Sequence, residues 1–374
     1  MAQDGLQRWV SGLRRWLVAG ACLVAAPLAL AQDVRVETVA EGLENPWSIA
    51  FLPDGRMLVT EHPGRLRVIE DGKLHEAPVE GLPPIFHSGQ AGLFEVLPAR
   101  DFAESGVLYL SFAHGDKDAN HTRIVRAVFD GRRLSDVTPI FTTQPAKSGD
   151  AHAGGRMLKL SDGTLLLGLG DGFFFREESQ KLDSHMGTIV RINADGSVPR
   201  DNPFVGREGV LPEIYSYGHR HVQGLVLDGD RLLSHEHGPR GGDEINLVEP
   251  GMNYGWPVIT YGRDYSRALI SPFTEREGME QPLLVWTPSI APAGLALYDG
   301  ELFPQWRGSL LVAALAEKSL RRVEMSGGQP GRQHVLLEDL GERMRDVRVG
   351  PDGAVYLATD EKDGRVIRLV PGAG

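Results

Sequence analysis

The chain has 374 residues, 41% hydrophobic and 7% aromatic, a balance that suits a soluble globular protein of one large or two smaller domains. Its formal net charge of −11 disfavours nucleic acid and anionic membranes as partners and is neutral toward an uncharged substrate such as a sugar. The one cysteine, Cys22, excludes a disulfide framework and a thiolate metal site.

In chain order, the first predicted element is an export signal. Arg8, Arg14 and Arg15 form a basic region, and residues 16–30 are an apolar run broken by Pro27. Ala29-Leu30-Ala31 then offers a small-residue cleavage site before Gln32. The run is short for a membrane anchor and no second apolar span follows, so the expectation is cleavage near Ala31 and a periplasmic or secreted protein. Arg14-Arg15 carries a weak outline of a twin-arginine signal. Cys22 is a poor lipid-attachment site because the apolar run continues beyond it. Residues 1–31 hold three basic residues and one acidic, so their loss takes the net charge to −13.

From Gln32 to the end, short apolar strands alternate with Asp-Gly or Gly turns. Residues 48–51 lead through Pro53-Asp54-Gly55 to 57–60, and 225–227 through Asp228-Gly229 to 232–234. Residues 347–349 lead through Pro351-Asp352-Gly353 to 355–358. A sheet of three or four such strands cannot bury both faces by itself, and radial packing of several sheets solves that problem. The repeat therefore predicts one all-β domain over residues 32–374, a six-bladed β-propeller of four-stranded antiparallel blades, about 57 residues each. Residues 34–39 are expected to complete the last blade and close the ring. A β-sandwich is the rival, and the chain is long for it. Residues 177–185 suit a short helix, and the irregular segments 176–205 and 251–280 suit excursions at the mouth of the central channel.

The stretch from His152 to Asp171 reads as a hairpin across Ser161-Asp162-Gly163. A hairpin sets the start of one strand beside the end of its partner. Asp171 can then hold one ring nitrogen of His152 and leave the other as a base. In a propeller, other polar and glycine-rich clusters converge on the same mouth. The histidines His219, His221, His235 and His237 lack a carboxylate at a spacing that would mark a zinc or iron site. Gly238-Pro239 offers backbone carbonyl oxygens of the kind calcium takes. Asp243-Glu244 reads first as a surface acidic pair and alternatively as part of a second, structural calcium site. Arg343 and Arg345 flank Met344 and project to one side of a strand, where they can clamp a multiply charged anion. With Arg220, Gln90 and Lys318 they outline a pocket for a carboxylated ligand.

Eight motifs stand in order: His87-Ser88-Gly89-Gln90-Ala91-Gly92-Leu93, His152-Ala153-Gly154-Gly155-Arg156, Gly168-Leu169-Gly170-Asp171, residues 218–224, Glu236-His237-Gly238-Pro239, residues 253–257, Ser289-Ile290-Ala291-Pro292 and Arg343-Met344-Arg345-Asp346. Together they resemble the soluble quinoprotein glucose/sorbosone dehydrogenase family, and in particular its aldose sugar dehydrogenases of bacterial periplasms. The resemblance implies a six-bladed propeller that oxidises aldoses with pyrroloquinoline quinone (PQQ) and calcium, passing electrons to an external acceptor. It implies His152 as general base, Asp171 as its orienting carboxylate and Arg220 as the group that polarises the quinone. Gln90, Arg220, His221, Arg343 and Arg345 match cofactor contacts, Gly238 and Pro239 match calcium ligands, with Glu244 added for a second ion, and Trp286 falls near the substrate wall. Two departures stand out. His221 replaces an asparagine common in the glucose enzymes, and the family's cofactor lysine falls on Ala316, with Lys318 as the candidate substitute. A calcium-dependent propeller lactonase and a cofactor-less sugar-binding propeller are the alternatives, and the oligomeric state is open between monomer and homodimer.

Overall fold

A computed structural model describes residues 34–372; the expected export segment, its cleavage site and Cys22 lie outside the described residues. The described strands form six four-stranded antiparallel sheets. In the first, Pro46–Phe51, Met57–Glu61, Arg65–Glu70 and Lys73–Leu74 run from centre to rim. The second holds Leu93–Pro98, Val107–Gly115, Asn120–Phe129 and Leu134–Thr142, and the third Gly154–Lys159, Leu165–Leu169, Thr188–Ile192 and Ile214–Tyr217. The fourth holds Val222–Asp228, Arg231–Glu236, Asp243–Leu247 and Leu284–Trp286; the fifth, Pro292–Leu297, Leu310–Ala314, Ser319–Ser326 and Gln329–Leu336. The sixth joins Met344–Val349, Val355–Thr359 and Gly364–Pro371 to Val34–Leu43 from the other end of the described chain.

The first strand of each sheet packs against the first strand of the next, around a closed ring. The molecule is the six-bladed propeller that the strand repeat predicts, with the expected closure by residues 34–43. Residues 177–185 hold less helix than expected, a 3-10 turn at Arg176–Gln180.

Both faces of a blade are buried, so its strands alternate between two cores. In Val107–Gly115, Leu108, Leu110 and Phe112 pack toward the first blade, while Val107 and Tyr109 pack toward the third. At the hub the packing turns polar. Arg156, 2% exposed, donates to Glu95 at 2.8 Å, to Asp346 at 3.1 Å and to the Gln223 carbonyl at 3.0 Å. Arg348 donates to the same two carboxylates at 2.6 and 3.0 Å. Two positive and two negative charges thus neutralise one another across three blades, and a carbonyl of the fourth joins them. No helix among the described residues is long and apolar enough to cross a membrane.

Every innermost strand also carries a β-bulge near its start, between Pro46 and Ser48, Leu93 and Val96, Gly154 and Arg156, Val222 and Gly224, Pro292 and Leu295, and Met344 and Asp346. A bulge bends its strand and re-aims the residues beside it. Six of them ring one end of the channel, where the polar clusters of the sequence gather.

Candidate active site

His152 precedes the innermost strand of the third blade with φ of 50°, a left-handed conformation uncommon for a residue with a side chain. Gly154 follows at φ +77°, and a Cβ there would lie 2.4 Å from the Gly168 carbonyl oxygen. Only glycine makes this corner without strain. The Gln90 side-chain oxygen accepts the His152 backbone N–H at 3.0 Å and ties the corner to the second blade. The hairpin then brings His152 Nδ1 to 2.6 Å from Asp171 Oδ1. Asp171 also accepts the Phe173 backbone N–H and the Trp256 indole Nε1–H, each at 2.8 Å.

Both side chains are buried, at 3% and 1% exposure. Burial pushes the His152 imidazole below its ordinary range; Asp171 opposes this and the charges of Arg220 and Lys147 add to it. Burial would raise the Asp171 carboxyl, but the His152 hydrogen bond, the Arg220 charge and the Phe173 N–H outweigh it and hold it low.

Arg220 enters from the loop before the fourth blade. Its carbonyl accepts the Asp171 backbone N–H at 2.9 Å, and the Glu236 carboxylate accepts its own backbone N–H. The guanidinium donates to the carbonyls of His237 and Gly238, both at 2.9 Å, and lies over the Trp256 and Tyr265 rings. A cavity of about 300 Å³ lined by His152, Asp171, Phe173, Arg220, Trp256 and Tyr265 opens here.

A second cavity, of about 440 Å³, lies alongside and is lined by Gln90, His221, Arg343, Arg345 and Asp360. Asp360 Oδ2 accepts from Arg343 and Arg345 at 3.0 and 2.9 Å. One carboxylate thus faces two guanidiniums, and Arg345 Nε is buried without a partner. This cavity suits an anion. Next to Gly238, a smaller cleft gathers Glu236 and Glu244 with Tyr254 and Thr260. Burial, and the charge of Glu236, push the Glu244 carboxyl well up.

The mouth therefore assembles His152, Asp171, Arg220, Gln90, His221, Arg343, Arg345, Gly238, Pro239 and Glu244, though sequence separates them by up to 255 positions from Gln90 to Arg345. Two candidates are not there. Trp286 belongs to the rim strand of the fourth blade, is 5% exposed among Leu295, Val312 and Val323, and donates to Gln333 Oε1 at 2.8 Å. It is a core residue between two blades and cannot wall a substrate. Lys318 sits in an exposed turn at φ 57° with its ammonium on the Gly341 carbonyl at 2.7 Å, outside the arginine cavity. The turn carries it past the cavity rim.

Asp243 corrects a third expectation. It is fully buried, not a surface acid, and accepts from the backbone N–H groups of Gly238, Ile290 and Ala291 and from the Ser289 hydroxyl. It fastens the Gly238-Pro239 loop to the fifth blade. Sequence reasoning missed Trp256, the tryptophan that does face the site, and Asp360. Trp256 stood within a family-like motif, residues 253–257; nothing local marked Asp360.

A six-bladed propeller whose mouth sets a carboxylate-held imidazole beside an arginine-lined cavity defines the class. Its family follows from comparison with known proteins. The family model for glucose/sorbosone dehydrogenase matches residues 43–368, and the chain belongs to that family. It is 39% identical to the aldose sugar dehydrogenase YliI of Escherichia coli K12, over 95% of this chain and 98% of that one. The crystal structure of the soluble aldose sugar dehydrogenase of Escherichia coli in its apo form superposes with a TM-score of 0.88 at 38% identity, covering 91% of this chain and all of that one. The PQQ-bound form of an aldose sugar dehydrogenase from Streptomyces coelicolor superposes at 0.75 and 29% identity, covering 91% and 98%. The chain is thus a sugar dehydrogenase by family and fold.

Proposed function

We propose that the protein oxidises the anomeric carbon of aldose sugars to lactones with PQQ and calcium, and hands the electrons to an external acceptor. The carrying observation is the His152–Asp171 pair facing Arg220 across one cavity, beside a second cavity with an excess of arginine. The donor set fits the cofactor. Two guanidiniums against one carboxylate, with Arg345 Nε unpaired, leave positive charge for a carboxylated quinone. The Gly238 and Pro239 carbonyls are hard oxygen donors of the kind calcium takes, and the buried Glu236–Glu244 pair, short of positive charge, suits a second calcium. Gln90, Arg220, His221, Arg343 and Arg345 would hold the quinone. When bound, the quinone accepts a hydride and the calcium draws charge onto the quinone oxygens.

This chain supplies the proton handling and the field. Asp171 accepts from His152 Nδ1–H, so Nε2 keeps its lone pair and takes the proton of the anomeric hydroxyl. Trp256 and the Phe173 N–H hold the carboxylate still. Arg220 lines the same cavity as His152 and would stabilise negative charge on an acceptor bound there. Export with cleavage near Ala31 would place this chemistry in the periplasm.

Mixing apo-protein with PQQ and calcium and following dye reduction by a panel of monosaccharides and disaccharides tests the reading. His152→Ala should lose roughly two to four decades in rate while the fold persists. Near-full activity in that variant would remove the base, and no turnover by the parent protein would remove the function.

A further inference from the structure

His221 has no part in the proton transfer above, yet its ring is buried at the mouth beside His152. It is 5% exposed, and its plane stacks on the His152 ring at 4.5 Å between centroids and 17° between planes. His237 meets its edge at 5.2 Å, and Phe173 meets the His152 ring edge-on at 5.0 Å. Gln223 Nε2 donates to His221 Nε2 at 3.0 Å, so in the neutral ring the proton sits on Nδ1. That Nδ1 is buried with no partner, on a ring that lines the arginine cavity.

We propose that His221 is a positioning residue for the base: its face fixes the plane of the His152 ring. The inference rests on reading His152 as the base. Asp171 anchors His152 at one edge only, and a single hydrogen bond leaves the ring free to tilt about it. The His221 stack and the Phe173 edge contact remove that freedom. The same face keeps water off the imidazole. The groups that face His152 are Asp171 on its own hairpin, Arg220 and His221 from the loop before the fourth blade, and Lys147 from the segment before the third. His221 itself faces His152, His237, Arg220 and Arg345, and burial together with these neighbours pushes its imidazole well below the ordinary range.

Three variants test the stack. His221→Ala removes ring and donor, His221→Phe keeps a ring without a donor, and His221→Asn keeps a donor without a ring. In the apo-protein, the His152 ring titration followed by NMR, assigned by its loss in His152→Ala, should move up by about one pH unit in the Ala and Asn variants. It should stay at the parent value in His221→Phe. An unchanged His152 titration in both Ala and Asn, or an equal shift in Phe, overturns the stacking role. Should the parent protein show no turnover with PQQ and calcium, the functional reading falls instead, and the apo titration still judges the stack.

Discussion

His152 carries its proton on Nδ1 because a carboxylate accepts it there, and the chemistry of the site follows from the nitrogen left over. Burial acts in the same direction by disfavouring the imidazolium form, with Arg220 and Lys147 adding to it against Asp171. In the proposed reaction His152 works in its neutral form, so activity should be lost as pH falls through its lowered pKa. The acid limb of kcat/KM against pH should therefore fall below 6.5, the ordinary value for histidine. An acid limb above 6.5 would mean that another group governs the rate. Arg220 shows how one residue serves several atoms: its backbone is tied to Asp171 and Glu236 while its guanidinium rests on the Gly238 carbonyl.

At the scale of the strand, the bulge at Gly154 turns the third blade's inner strand so that His152 faces the mouth. The geometry has no room for a side chain: the position combines φ of +77° with a Cβ-to-oxygen approach of 2.4 Å to Gly168. Gly154→Ala should cost roughly 2–4 kcal/mol in a urea melt, from left-handed strain plus the displaced backbone, and activity should fall beyond what instability explains. A melt within about 0.5 kcal/mol of the parent would show that the strand can shift freely. Asp243 works at the same scale. It ties the Gly238-Pro239 loop to the start of the fifth blade through five acceptor contacts, and so sets the two carbonyls that the proposed calcium would use.

Across the whole molecule, the ring is held by two different devices. Apolar side chains fill the wedges between blades, and a buried charge network fills the hub. Arg156 contacts groups from the second, fourth and sixth blades, and its guanidinium lies over Trp47 of the first at 4.2 Å. Arg156→Met leaves Glu95 and Asp346 with Arg348 as their only cation, and should destabilise by about 3–5 kcal/mol. Circular dichroism melts would check this, and a loss under 1 kcal/mol would mean that Arg348 alone neutralises the hub. The network lies on the floor beneath the catalytic mouth, so the same variant should weaken activity even where the ring stays closed.

The strand–turn repeat, the blade number and the His152–Asp171 hairpin were legible in the sequence because each depends on neighbours within one blade. Period-two alternation and Asp-Gly turns determine such contacts locally, and the arginine pair 343/345 needed only the pleat of a single strand. Contacts between blades were a different matter. Trp286 and Trp256 are both tryptophans in irregular, proline-flanked stretches, and only the packed ring decides that the first fills a wedge while the second grips Asp171. Asp243 and Glu244 looked alike as acids, and closure of the ring buried one under the fifth blade and set the other beside Glu236. Ring closure brings together residues hundreds of positions apart, and no local pattern encodes which side chain ends up facing the gap.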